Sequence, residues 1–404
     1  MKSSRSLSSH SCSFVMPLIT VALTGAFAAR ATPTLAAEPE PLNSFFERLS
    51  GLESKSSTRI TKVAWYGDSA VISDGYTGEL RSRLQSRFGD AGPGFILASA
   101  TFDDYLREGV KLKRQGWEAN SVISGELDSG RYGYGGVVST SFGGATATYE
   151  VKGDAINVVE VWYQGHPKGG KLQLFVDGAG EATATQSTVT SSVGDEVWRY
   201  TLDKPAKTVK LRAGGEGLVR VYGVVLERGN SGVELDAIGI LGMRARRWSN
   251  ANKDHLEKQV ETRSPDLVVL NFGGNERVDA GLTKAAHQAD IEKALSLLRA
   301  GAPKAACVIV APIAHGEDKD GKIVLDPALT TIYEAQRAVA EAQGCAFYDT
   351  LDAMGGKKAL KTWRDKKLIS GDYAHLTSKG HEALGGMIAD WLLGRYDAWH
   401  KGKG

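Results

Sequence analysis

Five short apolar runs constrain the fold most: Lys62-Val-Ala-Trp-Tyr, Val233-Glu-Leu-Asp-Ala-Ile-Gly-Ile, Leu267-Val-Val-Leu-Asn, Val308-Ile-Val-Ala and Ala346-Phe-Tyr. Segments with one-turn apolar spacing separate them. After the first run Leu80, Leu84 and Phe88 recur; further helices are expected near Asn252 to Val260, Ala289 to Ala300 and Thr331 to Ala342, and from Ser378 to about Leu393 with Leu384, Ile388 and Trp391 on one face. Nearly unbroken apolar strands between helices are the pattern of a parallel sheet covered on both faces. The expected fold class is therefore α/β, a doubly wound parallel sheet.

One strand of this pattern precedes residue 99 and four follow residue 232. Between them lie alternating or β-branched runs such as Ala147-Thr-Tyr-Glu-Val, Asn157-Val-Val-Glu-Val-Trp-Tyr, Lys171-Leu-Gln-Leu-Phe-Val and Thr208-Val-Lys-Leu-Arg, broken by Asp-Gly, Gly-Gly and Pro-Lys turns. The expected organisation is one α/β domain in two parts, 38–98 and 233–404, with an all-β sandwich inserted over 99–232. Residues 1–37 read as a cleaved signal peptide: Lys2 and Arg5 precede the apolar stretch Phe14 to Ala29, which is short for a membrane span, and Ala26, Ala28, Ala36 and Ala37 supply small residues after it. An uncleaved N-terminal anchor is the competing reading. Cys12 lies before the apolar stretch, so no acylation site is indicated.

Removing 1–37 takes away Lys2, Arg5 and Arg30 and no acidic residue, which turns the formal charge of +2 into about −1. A near-neutral chain without an arginine-rich run gives nucleic-acid binding little electrostatic support. Cys307 and Cys345 open two strands separated by one helix, so they should lie at the same end of neighbouring parallel strands. A disulfide between them and a pair of buried thiols are both compatible with that placement.

Four segments carry chemistry. Gly67-Asp68-Ser69 ends the first strand, where open parallel sheets hold ligands, and the helix after it should aim its positive end at the serine; a helix cap is the plainer reading of Ser69. Asp372-Tyr-Ala-His375 precedes the last helix. There the carboxylate can take one ring N–H and leave the other nitrogen to deprotonate a serine. In Asn271-Phe-Gly-Gly-Asn275-Glu276 the Asn275 amide can donate to a developing oxyanion, although such a segment is also an ordinary turn. Gly242, just after the second strand, offers a backbone N–H for the same purpose, and Ser69 N–H a third.

The ordered blocks Gly-Asp-Ser, Gly, Gly-x-Asn and Asp-x-x-His resemble those of SGNH (GDSL-type) hydrolases. The resemblance implies that Ser69 is the nucleophile, His375 the general base, Asp372 its orienting carboxylate, and Ser69, Gly242 and Asn275 the oxyanion hole, with no cofactor or metal. Ala70 stands where many members have leucine and Glu276 where many have aspartate. The stretches Gly67 to Phe95 and Gly232 to Ile240 further resemble bacterial peptidoglycan O-acetylesterases, whose common form has histidine at the position of Ala70 and which carry an inserted module similar to a carbohydrate-binding module. This implies a periplasmic or secreted esterase that removes acetyl groups from a cell-wall glycan; the lack of a large uniformly apolar helix face points to a monomer. A polysaccharide O-acetyltransferase and a non-catalytic polysaccharide-binding protein are the alternatives. Asp318-Lys-Asp-Gly reads as a solvated turn rather than a calcium loop, and His166, His255, His287, His315 and His381 lack metal-ligand spacing. Tyr132, Tyr134, Trp162 and Tyr163 read either as core or as a sugar-stacking platform.

Overall fold

The computed structural model describes residues 40–229 and 231–403. The signal-peptide reading falls on 1–37, outside the described residues. Five parallel strands, β1 (Ile60–Gly67), β2 (Gly232–Gly239), β3 (Leu267–Asn271), β4 (Ala306–Val310) and β5 (Ala346–Tyr348), form one sheet in the order β2-β1-β3-β4-β5. Successive side chains of a strand point to opposite faces, and β1 divides accordingly. Val63 and Trp65 join a core with Leu80 and Leu84 of α3 (Gly75–Phe88), Leu49 of α1 (Asn43–Glu53) and Leu384, Ile388 and Leu392 of α7 (Ser378–Gly402). Ala64 and Tyr66 join the other core, with Leu256 and Val260 of α4 (Lys253–Arg263), Leu295 and Leu298 of α5 (Lys284–Arg299) and Val339 of α6 (Ala328–Ala342).

Helix boundaries depart from the sequence expectations at identifiable caps. Thr283 Oγ1 accepts the N–H of Ala286, so α5 begins at Lys284 rather than Ala289. Helix α7 runs on to Gly402 because Tyr396 and Trp399 still have a surface to pack on, Phe46 of α1. The helix expected to follow Ser69 directly is broken: α2 (Ser69–Ile72) is a single turn, and Asp74, at φ 53°, restarts the chain as α3. The helix that begins at Ser69 is therefore four residues long. The Asp318 segment is the turn of a hairpin, Gly316–Lys319 with Lys322–Leu325, in which Asp318 accepts the N–H of Gly321.

Residues 94–227 form two antiparallel sheets. One contains Gly194–Ala206, Ile156–Gly165, Val219–Glu227, Val137–Ser141 and Glu118–Ser121, with Gly94–Ile96 paired to Val219–Glu227; the other contains Val110–Gln115, Thr146–Val151, Thr208–Ala213, Lys171–Val176 and Ala184–Ser187. Their inner side chains belong to the same core as Tyr66 and Trp248. Tyr132, Tyr134, Trp162 and Tyr163 lie in that core, each at most 4% exposed, so none of them is a platform for a sugar ring. Cys307 at the start of β4 is disulfide-bonded to Cys345, the residue before β5.

Strand β2 is the open edge of the parallel sheet, yet all its residues are buried. Arg107, from the β-rich segment, donates to the carbonyls of Leu235 and Ala237 and so covers the edge. Asp236 of β2 accepts from Phe95 N–H at 2.7 Å, from Tyr134 Oη at 3.0 Å, and from Arg263 Nε at 2.7 Å and Nη2 at 2.9 Å. Arg263 also reaches Glu234 at 2.6 Å, and all three side chains are at most 1% exposed. A buried charge stripped of its partner is strongly destabilising. Asp236→Ala is expected to lower the unfolding free energy by about 3 kcal/mol or more, measured by denaturant titration; a loss below about 1 kcal/mol would show that the cluster is dispensable.

Candidate active site

The registers bring Gly67, Gly239 and Asn271, the last residues of β1, β2 and β3, to one level. The chain passes from β1 to β2 on one side and then to β3 on the other, so the carboxyl ends of β1 and β3 flank the topological switch point where α/β sheets bind ligands. Two glycines let the α2 turn settle on these strand ends. A Cβ at Gly67 would stand 2.3 Å from Val71 Cγ2, and one at Gly239 would stand 2.5 Å from Ile72 N. Asp68, not Ser69, caps the turn: its Oδ1 accepts the N–H of Ala70 at 3.0 Å. The serine hydroxyl is thereby left for other work.

The loop before α7 is organised around Asp372. Its Oδ1 accepts the N–H groups of Ala374 and His375 at 3.0 and 3.1 Å, and its Oδ2 lies 2.6 Å from His375 Nδ1. A carboxylate opposite Nδ1 keeps the proton there and leaves Nε2 as the basic nitrogen. Partial burial works against the charge on Asp372, but the His375 ring and the two N–H groups outweigh it and hold the carboxyl below its ordinary range. Tyr373 turns the loop at φ 53°, and its carbonyl accepts from Gly316 N–H.

Ser69, Asn275 and His375 line one cavity of about 100 Å³, together with Asp68, Gly274, Arg277 and His315. Asp372 stands behind His375 and outside the lining. Gly242 is also outside it, on the loop after β2 at φ 73°. Among the described residues no hydrogen bond joins Ser69 Oγ to His375, a looseness common before substrate binds. Asn275 Nδ2 gives one proton to Met243 O at 3.0 Å and keeps a second. Asn271, by contrast, is fully used: Oδ1 accepts from Tyr76 and Trp65, and Nδ2 donates to Val310 O.

In the sequence Glu276 stands out only as a departure from aspartate, and Asp68 has no assigned part. Glu276 is buried and ties the loops of Gly242 and Asn275 together, with Oε1 accepting from Ala245 N–H at 2.9 Å and Oε2 from Gly273 N–H at 3.1 Å. Burial pushes its carboxyl up to about 7 against those bonds, and the neighbouring Asp68 adds to the rise. Asp68 is pushed up to about 6, again by burial, against N–H groups of Ala70 and Gly274. An acid whose folded pKa is raised contributes stability that is fully present below its unfolded pKa and is lost as pH rises through the folded value. In Glu276→Gln this contribution is absent and an amide NH2 must face a backbone N–H. The stability deficit of the variant is therefore expected to be largest below about 4.5 and to shrink, by about 3 kcal/mol, as pH rises from about 4.5 to about 7. Thermal unfolding of both proteins across that range checks it, and a pH-independent difference would refute the assignment.

Residues 201–383 match the model of the GDSL-like lipase/acylhydrolase family, less than half of the chain. The match takes in Gly242, Asn275, Asp372 and His375 and begins beyond Ser69, within the β-rich segment. Comparison by sequence with curated proteins finds no match. Among solved structures, a peptidoglycan O-acetylesterase is similar at 22% identity and a TM-score of 0.75, over 88% of this chain and 96% of that one. A catalytic mutant of an acetylxylan esterase from Geobacillus stearothermophilus aligns at 23% identity over 39% of this chain and 71% of that one, with a TM-score of 0.30. The former likeness extends through the β-rich segment as well as the parallel sheet. Among the described residues no helix is long and apolar enough to cross a membrane, and no cluster of side chains suits a metal ion. Over residues 201–383 the chain thus carries a segment that matches the GDSL-like lipase/acylhydrolase family.

Proposed function

We propose that the chain is an exported esterase that removes acetyl groups from a carbohydrate polymer, O-acetylated peptidoglycan, through an acetyl-Ser69 intermediate. The observation that carries this reading is the single cavity lined by Ser69, Asn275 and His375, with Asp372 on the far nitrogen of the imidazole. His375 Nε2 takes the Ser69 hydroxyl proton as Oγ attacks the acetyl carbonyl carbon. The tetrahedral oxyanion is held by the N–H groups of Ser69 and Gly242 and the free amide proton of Asn275. Collapse breaks the ester C–O bond, and the proton on His375 passes to the departing sugar oxygen. Water then gives a proton to His375 and attacks the acyl-serine, releasing acetate and restoring Ser69. Small cavity volume suits an acetyl group, and the name of the structurally similar enzyme supports a peptidoglycan substrate.

In this reading residues 1–37 direct export to the periplasm or beyond, and 99–232 is a sandwich inserted between the two parts of the hydrolase domain, 38–98 and 233–404. The entry strand Gly94–Ile96 pairs with the exit strand Val219–Glu227, so the ends of such an insertion meet and the parent sheet closes beneath it. Hydrolysis is favoured over acetyl transfer to a second sugar because His375 and Asp372 are 58% and 50% exposed, which gives water free access to the base. A purely sugar-binding role loses its aromatic platform, since the four aromatic residues considered for it are core.

The mature protein is expected to hydrolyse p-nitrophenyl acetate and to release acetate from O-acetylated peptidoglycan, with Ser69→Ala reducing both by about a thousandfold or more. Activity that survives in Ser69→Ala would overturn the acyl-serine mechanism. Acetate release from the chromogenic ester alone would overturn the polymer assignment.

A further inference from the structure

His315 stands in the wall of the same cavity and has no part in the reaction described above. It follows the apolar run Ala311 to Ala314 beyond β4 and is 8% exposed. Its Nδ1 lies 2.8 Å from the carbonyl oxygen of Ile313. A carbonyl can only accept, so Nδ1 carries the proton. Burial is the main influence on the ring and pushes its pKa down to about 4, with Arg277 and His375 adding to the fall. The imidazole is thus neutral in ordinary conditions, and Nε2 is a bare acceptor. It lies against the backbone of Gly274, where an added Cβ would be 3.5 Å from Nε2, next to Asn275. Nε2 has no hydrogen-bond partner among the described residues. The carbonyl of His315 is itself anchored by Asp326 N–H at 2.9 Å, and the Asp326 carboxylate holds Arg277 at 2.8 Å, so the ring is set in a fixed wall.

An acceptor that faces the cavity without a protein partner is left to solvent until a ligand donor meets it and takes over that hydrogen bond. An acetyl group has no donor: its methyl and carbonyl can make only apolar contacts and accept. When substrate fills the cavity, a donor that replaces solvent at Nε2 must therefore belong to the alcohol side of the ester. Resting on the esterase reading above, we propose that His315 is a specificity-determining residue that accepts a hydrogen bond from a hydroxyl or amide N–H of the substrate's alcohol portion. This selects acetate esters of sugars over esters of donor-free alcohols.

The test compares an O-acetylated N-acetylglucosamine with cyclohexylmethyl acetate, which offers no donor, and reads the ratio of their kcat/KM values. His315→Phe, which keeps a ring but loses the acceptor, is expected to lower that ratio about tenfold, while His315→Gln, which keeps an acceptor, stays near the parent value. A ratio unchanged in His315→Phe overturns the proposal, as does an equal loss in both variants. Dependence on Ser69 is measured separately, by comparing the parent protein with Ser69→Ala on the donor-free ester. Failure there overturns the esterase reading itself and is separable from failure of the selectivity.

Discussion

The buried carboxylate of Asp236 is the joint on which the molecule depends. Its four acceptor contacts come from a strand of the β-rich segment through Phe95, from a loop of that segment through Tyr134, and from α4 through Arg263. Burial alone would disfavour its charge, but Arg263 and Phe95 N–H more than offset that and hold its carboxyl below the ordinary range. A parallel sheet with an exposed β2 would present unpaired carbonyls to solvent or to another chain. Arg107 and the Asp236 cluster close that edge and fix the height of β2 against β1. The level of Gly239 beside Gly67 follows, and with it the position of the loop that carries Gly242 relative to Ser69.

The second joint is at the site. Glu276 gathers the N–H groups of Ala245 and Gly273, and Asn275 gives one amide proton to Met243 O. The loop after β2 and the loop after β3 are thus held by each other rather than by the substrate. Preorganisation of this sort would serve the proposed oxyanion site, since donors already fixed in place need no reorganisation when charge develops. A glutamate in this position reaches both loops and keeps a single buried carboxyl between them.

Much of this was legible in the sequence. The parallel strands, their order of appearance and the pairing of Asp372 with His375 follow from apolar runs and from a three-residue spacing that lets a carboxylate reach back to a ring nitrogen. The neighbouring positions of Cys307 and Cys345 were legible too, because strand phase places them at one end. The disulfide itself required the three-dimensional distance. What could not be read was long-range polar bonding. Glu234, Asp236 and Arg263 look like ordinary charges on a strand and a helix, and only the fold shows that Arg263 pairs with ionised Asp236 in the core while burial pushes the Glu234 carboxyl up to about 8. The break after Ile72 escaped because Asp74 adopts a left-handed conformation stabilised by contacts with Thr77, Arg81 and the distant Glu108 N–H. In the sequence His315 is one of several scattered histidines, and nothing local in Ala-His-Gly distinguishes a cavity wall from a surface loop.

The central claim, that Ser69 is a nucleophile activated by His375, is tested most directly by peptide mapping after reaction with a small fluorophosphonate ester. The account predicts a single stoichiometric adduct on the peptide containing Ser69, formed much more slowly in His375→Ala. An adduct on another residue, or labelling of Ser69 at the same rate without His375, would contradict it.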